Sequence, residues 1–226
     1  MNRSAALSYD EGLRKYLLSI YNFMGLGLLI SGFVAFAVAS LPALSSIVMT
    51  GPGLITLAIL TLILVFVMSS GKDKYSTTTL HILYWTFMVA EGAFLSVLVK
   101  SYTSESIISA FLISSTIFGS MSLYGYVTKR DMTGWGVFLF MMLVGLLLVM
   151  IVNLIIQSTL MGYAISGGAV LLFSAITAYD TQRLKVEYYQ NGSNAHEIIL
   201  GALTLYLNFI NIFIHILNLF GIKVKD

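Results

Sequence analysis

The sequence predicts an all-α integral membrane protein with seven transmembrane helices, and three observations carry that prediction. Hydrophobic residues make up 58% of the 226-residue chain and charged residues only 10%, with a mean hydropathy of +0.91. A soluble domain carries about 25% charge, so water is not the main solvent here. Seven apolar runs approach the length, about 20 residues, that a helix needs to cross the hydrocarbon core of a bilayer. The connections are short, and a helix satisfies its own backbone hydrogen bonds in lipid, where an open chain cannot.

The first run, 16–40, follows a cytoplasmic segment over 1–15. It is too long for a signal-peptide core and lacks a small-residue cleavage site, so it is read as retained. A linker holding Pro42 and Pro52, the only two prolines, leads to the second run, 53–69; proline-kinked spans are therefore not expected. The third, 78–99, carries Trp85 and Glu91 inside it. The fourth, 105–127, holds Ser115 and Gly119, and the sixth, 160–180, holds Ala164 and Gly168; both small-residue pairs suit close helix packing. Between them, the fifth, 134–156, begins at Trp135, which suits an interfacial belt, and ends near Asn153 and Gln157, read as polar glue. The seventh covers 197–220. Together 16–221 is read as a single seven-helix domain with a short tail, 222–226, and no internal repeat.

The basic residues set the orientation. Arg3, Arg14, Lys15, Lys72, Lys74, Lys129, Arg130, Arg183 and Lys185 fall on one side, and Lys100, Lys223 and Lys225 on the other. The positive-inside rule then places the amino terminus in the cytoplasm and, with seven spans, the carboxyl terminus outside.

Several chemistries are disfavoured. The chain has no cysteine, so thiol catalysis, thiolate metal sites and disulfides are excluded. The net charge of +2 is scattered and gives no nucleic-acid footprint. A zinc hydrolase needs converging histidines, but His81 and His196 fall near the inner face and His215 toward the outer half. There is no Gly-x-Ser-Gly motif, no glycine-rich phosphate loop and no intramembrane lysine for a retinal Schiff base. The eleven methionines form no tight metal-binding motif. An enzyme is not expected, nor a resident metal or cofactor.

What remains is polar character inside the spans. Of ten acidic residues, Glu91 falls inside an apolar run and Asp180 at the exit of one. A charge at the bilayer centre costs about 2.5–3.5 kcal/mol on insertion scales, so such residues face the bundle interior, find a partner or carry a proton. The plainer reading of Asp180 is a solvated helix end paired to Arg183 or Lys185. That of Glu91 is a protonated acid bonded to a neighbouring helix. In the last run, Thr204, Asn208, Asn211, His215 and Asn218 recur at spacings of four, three, four and three, which puts them on one helical face. Such a seam is expected to turn inward, either as interhelical glue or as the wall of an ion or proton path.

Three stretches, LYGYVTKRDMTG at 123–134, TAYDTQRLK at 177–185 and GALTLYLNFINIF at 201–213, followed by Phe220 and Gly221, resemble the Bax inhibitor 1 family, also called the transmembrane BAX-inhibitor-motif family. With the spans between them, the resemblance covers nearly the whole chain and is most similar to bacterial inner-membrane members. It implies six helices around a central seventh and a pH-sensitive calcium leak, with calcium as the transported ion. It also implies, for some bacterial members, a membrane-anchored AAA protease as partner. In the family the acid of the YD motif pairs with an acid in the last helix, forming a proton-controlled latch. Asp180 matches the first acid, but the second position is Asn208. One group is then expected to titrate in place of a coupled pair, with a pH response weaker or shifted toward acid. Glu91, Asn211, Thr204 and His215 are candidates for the ion path, and Arg183 and Lys185 form a cytoplasmic charge cluster. Two other functions compete: a non-conducting interaction protein that modulates a membrane protease or stress response, and a proton-coupled exchanger.

Overall fold

The structure, a computed structural model, describes residues 3–70 and 75–224, with side chains from Glu11 onward. Arg3, Lys72, Lys74 and Lys225, counted above for orientation, lie outside the described side chains. Eight helices form, and no β-strand forms among the described residues: α1 (Arg3–Ser40), α2 (Pro42–Val48), α3 (Gly51–Ser70), α4 (Thr77–Ser101), α5 (Ser104–Val127), α6 (Trp135–Ile156), α7 (Thr159–Asn191) and α8 (Ala195–Phe220). All except α2 are long and apolar enough to cross a membrane. Each contains, within a residue, one of the seven predicted runs.

Local chemistry sets the boundaries. Ser76 begins α4 by accepting from the N–H of Thr79, and Thr103 begins α5 by accepting from that of Ser106, the side-chain caps that satisfy otherwise orphaned helix donors. The linker expected between the first two spans instead holds α2, with Pro42 in its first turn. There the missing N–H costs nothing and the ring presets φ. Asn153, expected as polar glue, acts at the α6–α7 turn. Its Oδ1 accepts the N–H of Ser158 at 3.1 Å and closes the α6–α7 turn, with Gln157 in the left-handed region at φ 54°.

The chain divides into two compact units. One comprises 1–102, 191–206 and 224–226; the other comprises 103–190 and 207–223. The first has an aromatic core of Tyr16, Tyr84, Phe87 and Tyr206, all essentially inaccessible. The second packs Phe111 and Phe118 of α5 edge-on against Phe209 of α8. The tail is tied down at both units: Thr103 donates to the Ile222 carbonyl in the second, and Val224 to the Ser101 carbonyl in the first, each at 3.0 Å.

Of the seven spans α8 is the most enclosed, with 61% of its most apolar window buried against 6% for α6. Close packing falls at different glycines from those the small-residue pairs suggested. Gly119 and Gly168 face open space. Gly92 of α4 lies where a Cβ would come 2.5 Å from the backbone oxygen of Ser31 in α1, and a Cβ on Gly125 of α5 would collide with the Ala178 backbone of α7. Both contacts need a missing side chain because the opposing atoms are backbone, which cannot rotate away.

Gly92→Ala and Gly125→Ala are therefore expected to destabilise the protein by about 1–3 kcal/mol through overpacking. Gly32→Ala, with nothing within 4 Å, should be neutral or gain about 0.5–1 kcal/mol from helix propensity. Thermal unfolding of the three variants in one detergent checks the ranking; equal melting temperatures would refute the close approaches.

Candidate functional site

The sequence placed the end of the sixth span at Asp180. The structure corrects this: α7 runs without interruption to Asn191. At 1.5 Å per residue its 33 residues span about 50 Å, well beyond a hydrocarbon core of about 30 Å. The helix stops where Gly192 adopts φ +77°, a left-handed conformation glycine takes without steric cost. The apolar run ends at Asp180 but the helix does not, because helix length is set by caps and hydropathy reports only the lipid-facing part.

Asp180 is buried, with 5% of its surface exposed, so the reading of a solvated helix end is excluded. Both carboxylate oxygens are engaged. Asn208 of α8 donates through Nδ2 to Oδ2 at 2.8 Å. The Arg183 guanidinium, one turn further along α7, lies 3.1 Å from Oδ1. Both partners act as donors, an arrangement that matches an ionised carboxylate. Arg183 remains 43% exposed, so its charge reaches from the buried acid to the surface. Lys185 does not pair with Asp180. Its Nζ donates to the Tyr126 carbonyl at 3.0 Å and lies over the Tyr126 ring.

The surrounding polar groups hold this stretch of α7 in place. Thr177 and Thr181 are fully buried and donate to the carbonyls of Phe173 and Thr177, four residues back. Gln182 uses both ends of its amide on the α5–α6 connection, accepting from the Met132 N–H and donating to the Arg130 carbonyl, each at 2.8 Å. Within that connection the N–H and hydroxyl of Thr133 both donate to Asp131 Oδ1. These bonds hold the Asp131 carboxyl below its usual range, so the turn's contribution is present above about pH 4 and is lost as pH falls through the lowered folded value. Sequence reasoning missed Gln182 and Tyr126. Their residue types were visible in two of the quoted stretches, but their bonds to partners fifty or more residues away carried no local signal.

The last helix departs from a simple polar wall. Of its five-residue stripe, Asn208 and His215 are buried, Thr204 and Asn211 half-buried, and Asn218 exposed. His215 Nδ1 meets Ser166 Oγ of α7 at 3.3 Å. Thr204 donates to the Leu200 carbonyl and Asn211 to that of Leu207, each on its own helix. The inaccessible face between them is apolar, including Leu205, Ile212 and Leu217. The period revealed that these residues share a face, but could not reveal that other faces are buried more deeply. Glu91 lies in the other unit, buried on α4.

Chemically, the site offers one carboxylate with neutral oxygens nearby. Donation through Nδ2 leaves the Oδ1 of Asn208 and of Asn211 as acceptors, and oxygen donors are what a hard cation takes. No three histidine or acidic residues converge into a metal site among the described residues.

Comparison with known proteins gives consistent matches along the chain. The family described as inhibitor of apoptosis-promoting Bax1 matches residues 13–225. An uncharacterized protein of Caulobacter vibrioides is 38% identical over 230 residues, covering 96% of this chain and 92% of the relative. The inner membrane protein YbhL of Escherichia coli is 39% identical over 216 residues, covering 93% and 92%. An uncharacterized membrane protein of Streptococcus pyogenes is 36% identical over 217 residues, covering 94% of both.

Removing the amide leaves a buried acceptor short of a donor, so Asn208→Leu should cost about 1–3 kcal/mol. Added to Asp180→Leu it should cost less than the sum of the two single changes, because the shared bond can be lost only once. Strictly additive losses in a thermal-unfolding cycle would show that the 2.8 Å contact contributes nothing.

Proposed function

This chain belongs to the Bax inhibitor 1 family, and from that membership we propose that it acts as a pH-sensitive calcium leak gated at Asp180. The observation that carries the proposal is the buried bond from Asn208 to Asp180 across two membrane-spanning helices, with Arg183 on the second oxygen. In this reading Asp180 is both the proton acceptor and the first oxygen ligand that a cation meets from the cytoplasm. Arg183 occupies one carboxylate oxygen and so competes with calcium for it. A proton on Asp180 removes the charge that holds the guanidinium, and the α7–α8 bond is then free to rearrange. Asn211 keeps an acceptor oxygen on the α8 stripe, and with His215 it extends the candidate path. The unequal distribution of lysine and arginine supports a bacterial inner-membrane orientation with the amino terminus in the cytoplasm and the carboxyl terminus outside.

The asparagine distinguishes this chain from the paired-acid pattern of the family. A single carboxylate titrates in one step, whereas two interacting acids titrate in two macroscopic steps. Its neutral amide also leaves the site with one negative charge fewer to hold a divalent ion.

A second reading, an interaction protein acting on a membrane-anchored AAA protease, is favoured by a different observation. Eleven residues of α7 follow Asp180, and Asn191 Nδ2 donates to Glu197 Oε1 at 3.1 Å across the turn into α8. This makes an ordered polar element on the side assigned to the cytoplasm. Surface substitutions at Glu187 and Gln190 that abolish protease association, while Asp180→Asn leaves it intact, would support this reading over the leak.

Calcium flux into proteoliposomes across a pH series separates these possibilities. The wild type should show one pH-dependent step, Asp180→Asn should abolish the pH dependence, and Asn208→Asp should convert one step into two. An unchanged profile in Asp180→Asn overturns gating at this residue.

A further inference from the structure

Glu91 belongs to a different unit from the latch. It lies in the unit formed by 1–102, 191–206 and 224–226, and neither Asp180 nor Asn208 belongs to that unit. On α4 it falls on the core-facing stripe with Tyr84, Phe87, Met88 and Leu95, all between 0 and 7% exposed, and is itself 8% exposed. The stripe follows the three- and four-residue spacing of one helical face, which places Glu91 on the face that α4 turns to the unit's core. No hydrogen bond or ion pair holds it among the described residues.

Among the described residues its surroundings offer no positive charge. On α8 the titratable side chain packed over this part of α4 is the buried Tyr206 phenol, whose hydroxyl has no hydrogen-bond partner among the described residues. The Tyr206 ring packs edge-on against Phe87 at 5.8 Å, which fixes it over this part of α4. On α1 the residue opposite the adjoining Gly92 is Ser31, and every titratable side chain of α1 precedes Asn22. The α3 sequence contains no titratable side chain at all. On α4 itself, the Tyr84 hydroxyl is committed to the Phe23 carbonyl at 2.9 Å, while His81 and Lys100 lie more than two turns away along the helix.

We infer that Glu91 is a second proton-binding site, a neutral carboxylic acid held in the apolar core beside Tyr206 and Ser31, independent of Asp180 and open to modification by hydrophobic carbodiimides. An ion in such a place lacks both solvent and partner and is strongly disfavoured. The acid form has an O–H to donate and an acceptor oxygen to offer; the Ser31 hydroxyl already donates to the Leu28 carbonyl and can only accept, while the Tyr206 hydroxyl has no partner among the described residues. Reaction with a carbodiimide needs that form. The carboxyl proton moves to a carbodiimide nitrogen, the carboxylate oxygen bonds to the central carbon, and the adduct rearranges to a stable N-acylurea with nothing lost. The site does not depend on gating at Asp180, since Glu91 is not part of the Asp180, Asn208 and Arg183 cluster.

The experiment treats the full chain in lipid nanodiscs with dicyclohexylcarbodiimide at neutral pH and maps the adduct by peptide mass spectrometry. One reagent mass on the peptide containing Glu91 is expected, with a yield that falls as pH is raised. Glu91→Gln should lose the adduct and Asp180→Asn should keep it. An unlabelled Glu91 in the wild type overturns the inference without recourse to any variant. So does labelling at equal yield by a water-soluble carbodiimide, which would place the carboxyl in water. Loss of the adduct in Asp180→Asn would overturn the independence of the two sites. Flux failing to respond to Asp180→Asn would count against the leak alone.

Discussion

A carboxylate withdrawn from water must find donors, and the region around Asp180 is organised by that requirement. The acid is buried on a long helix, so its two oxygens are met from two directions: an amide from α8 and a guanidinium from its own helix. Each donor fixes something else in turn. Asn208 ties α8 to α7 at one level. Arg183 reaches the acid from one turn further along the same helix. Gln182, between them in sequence, attaches the α5–α6 connection to the same turn. The three stretches that carry the family resemblance are thus joined by hydrogen bonds in the second unit, which gives their shared occurrence a physical reason.

Much of this was legible in the sequence, for reasons that differ by element. The seven spans were readable because apolar length alone determines which helices lipid accepts. The extension of α7 was not read from hydropathy, since residues beyond the membrane have no apolar signal. A signal did exist in Asn191-Gly192, where glycine at the end of a helical pattern marks its stop. The short α2 was hidden because seven residues give too little periodicity to distinguish from a linker. The residue types of the site, an acid and an amide on successive spans, were visible. Their contact depended on helix length and rotation, which one sequence fixes only loosely.

The polar stripe of α8 teaches a more specific lesson. Amphipathic logic says that the unusual face of a helix turns away from its solvent. In α8 most faces are turned away from it, so the stripe loses its privilege as the inward one. Thr204 and Asn211 then meet their hydrogen-bonding needs on their own backbone, while Asn208 and His215 reach across to α7. Periodicity groups residues by direction, and only packing decides which direction is the deepest.

The near-bare surface of α6 has a consequence for how the chain assembles. Leu139 is its one buried residue, so protein packing contributes little to holding it upright. Its stability as a span comes from partitioning into hydrocarbon, the first of two stages in which membrane helices form individually and only then associate. The bilayer acts as its scaffold. Fastenings exist chiefly at the ends, where Tyr179 closes on Gly136 and Asn153 ties the turn into α7. A solvent that copies the membrane's oiliness but not its lateral pressure would preserve the helix and loosen its tilt.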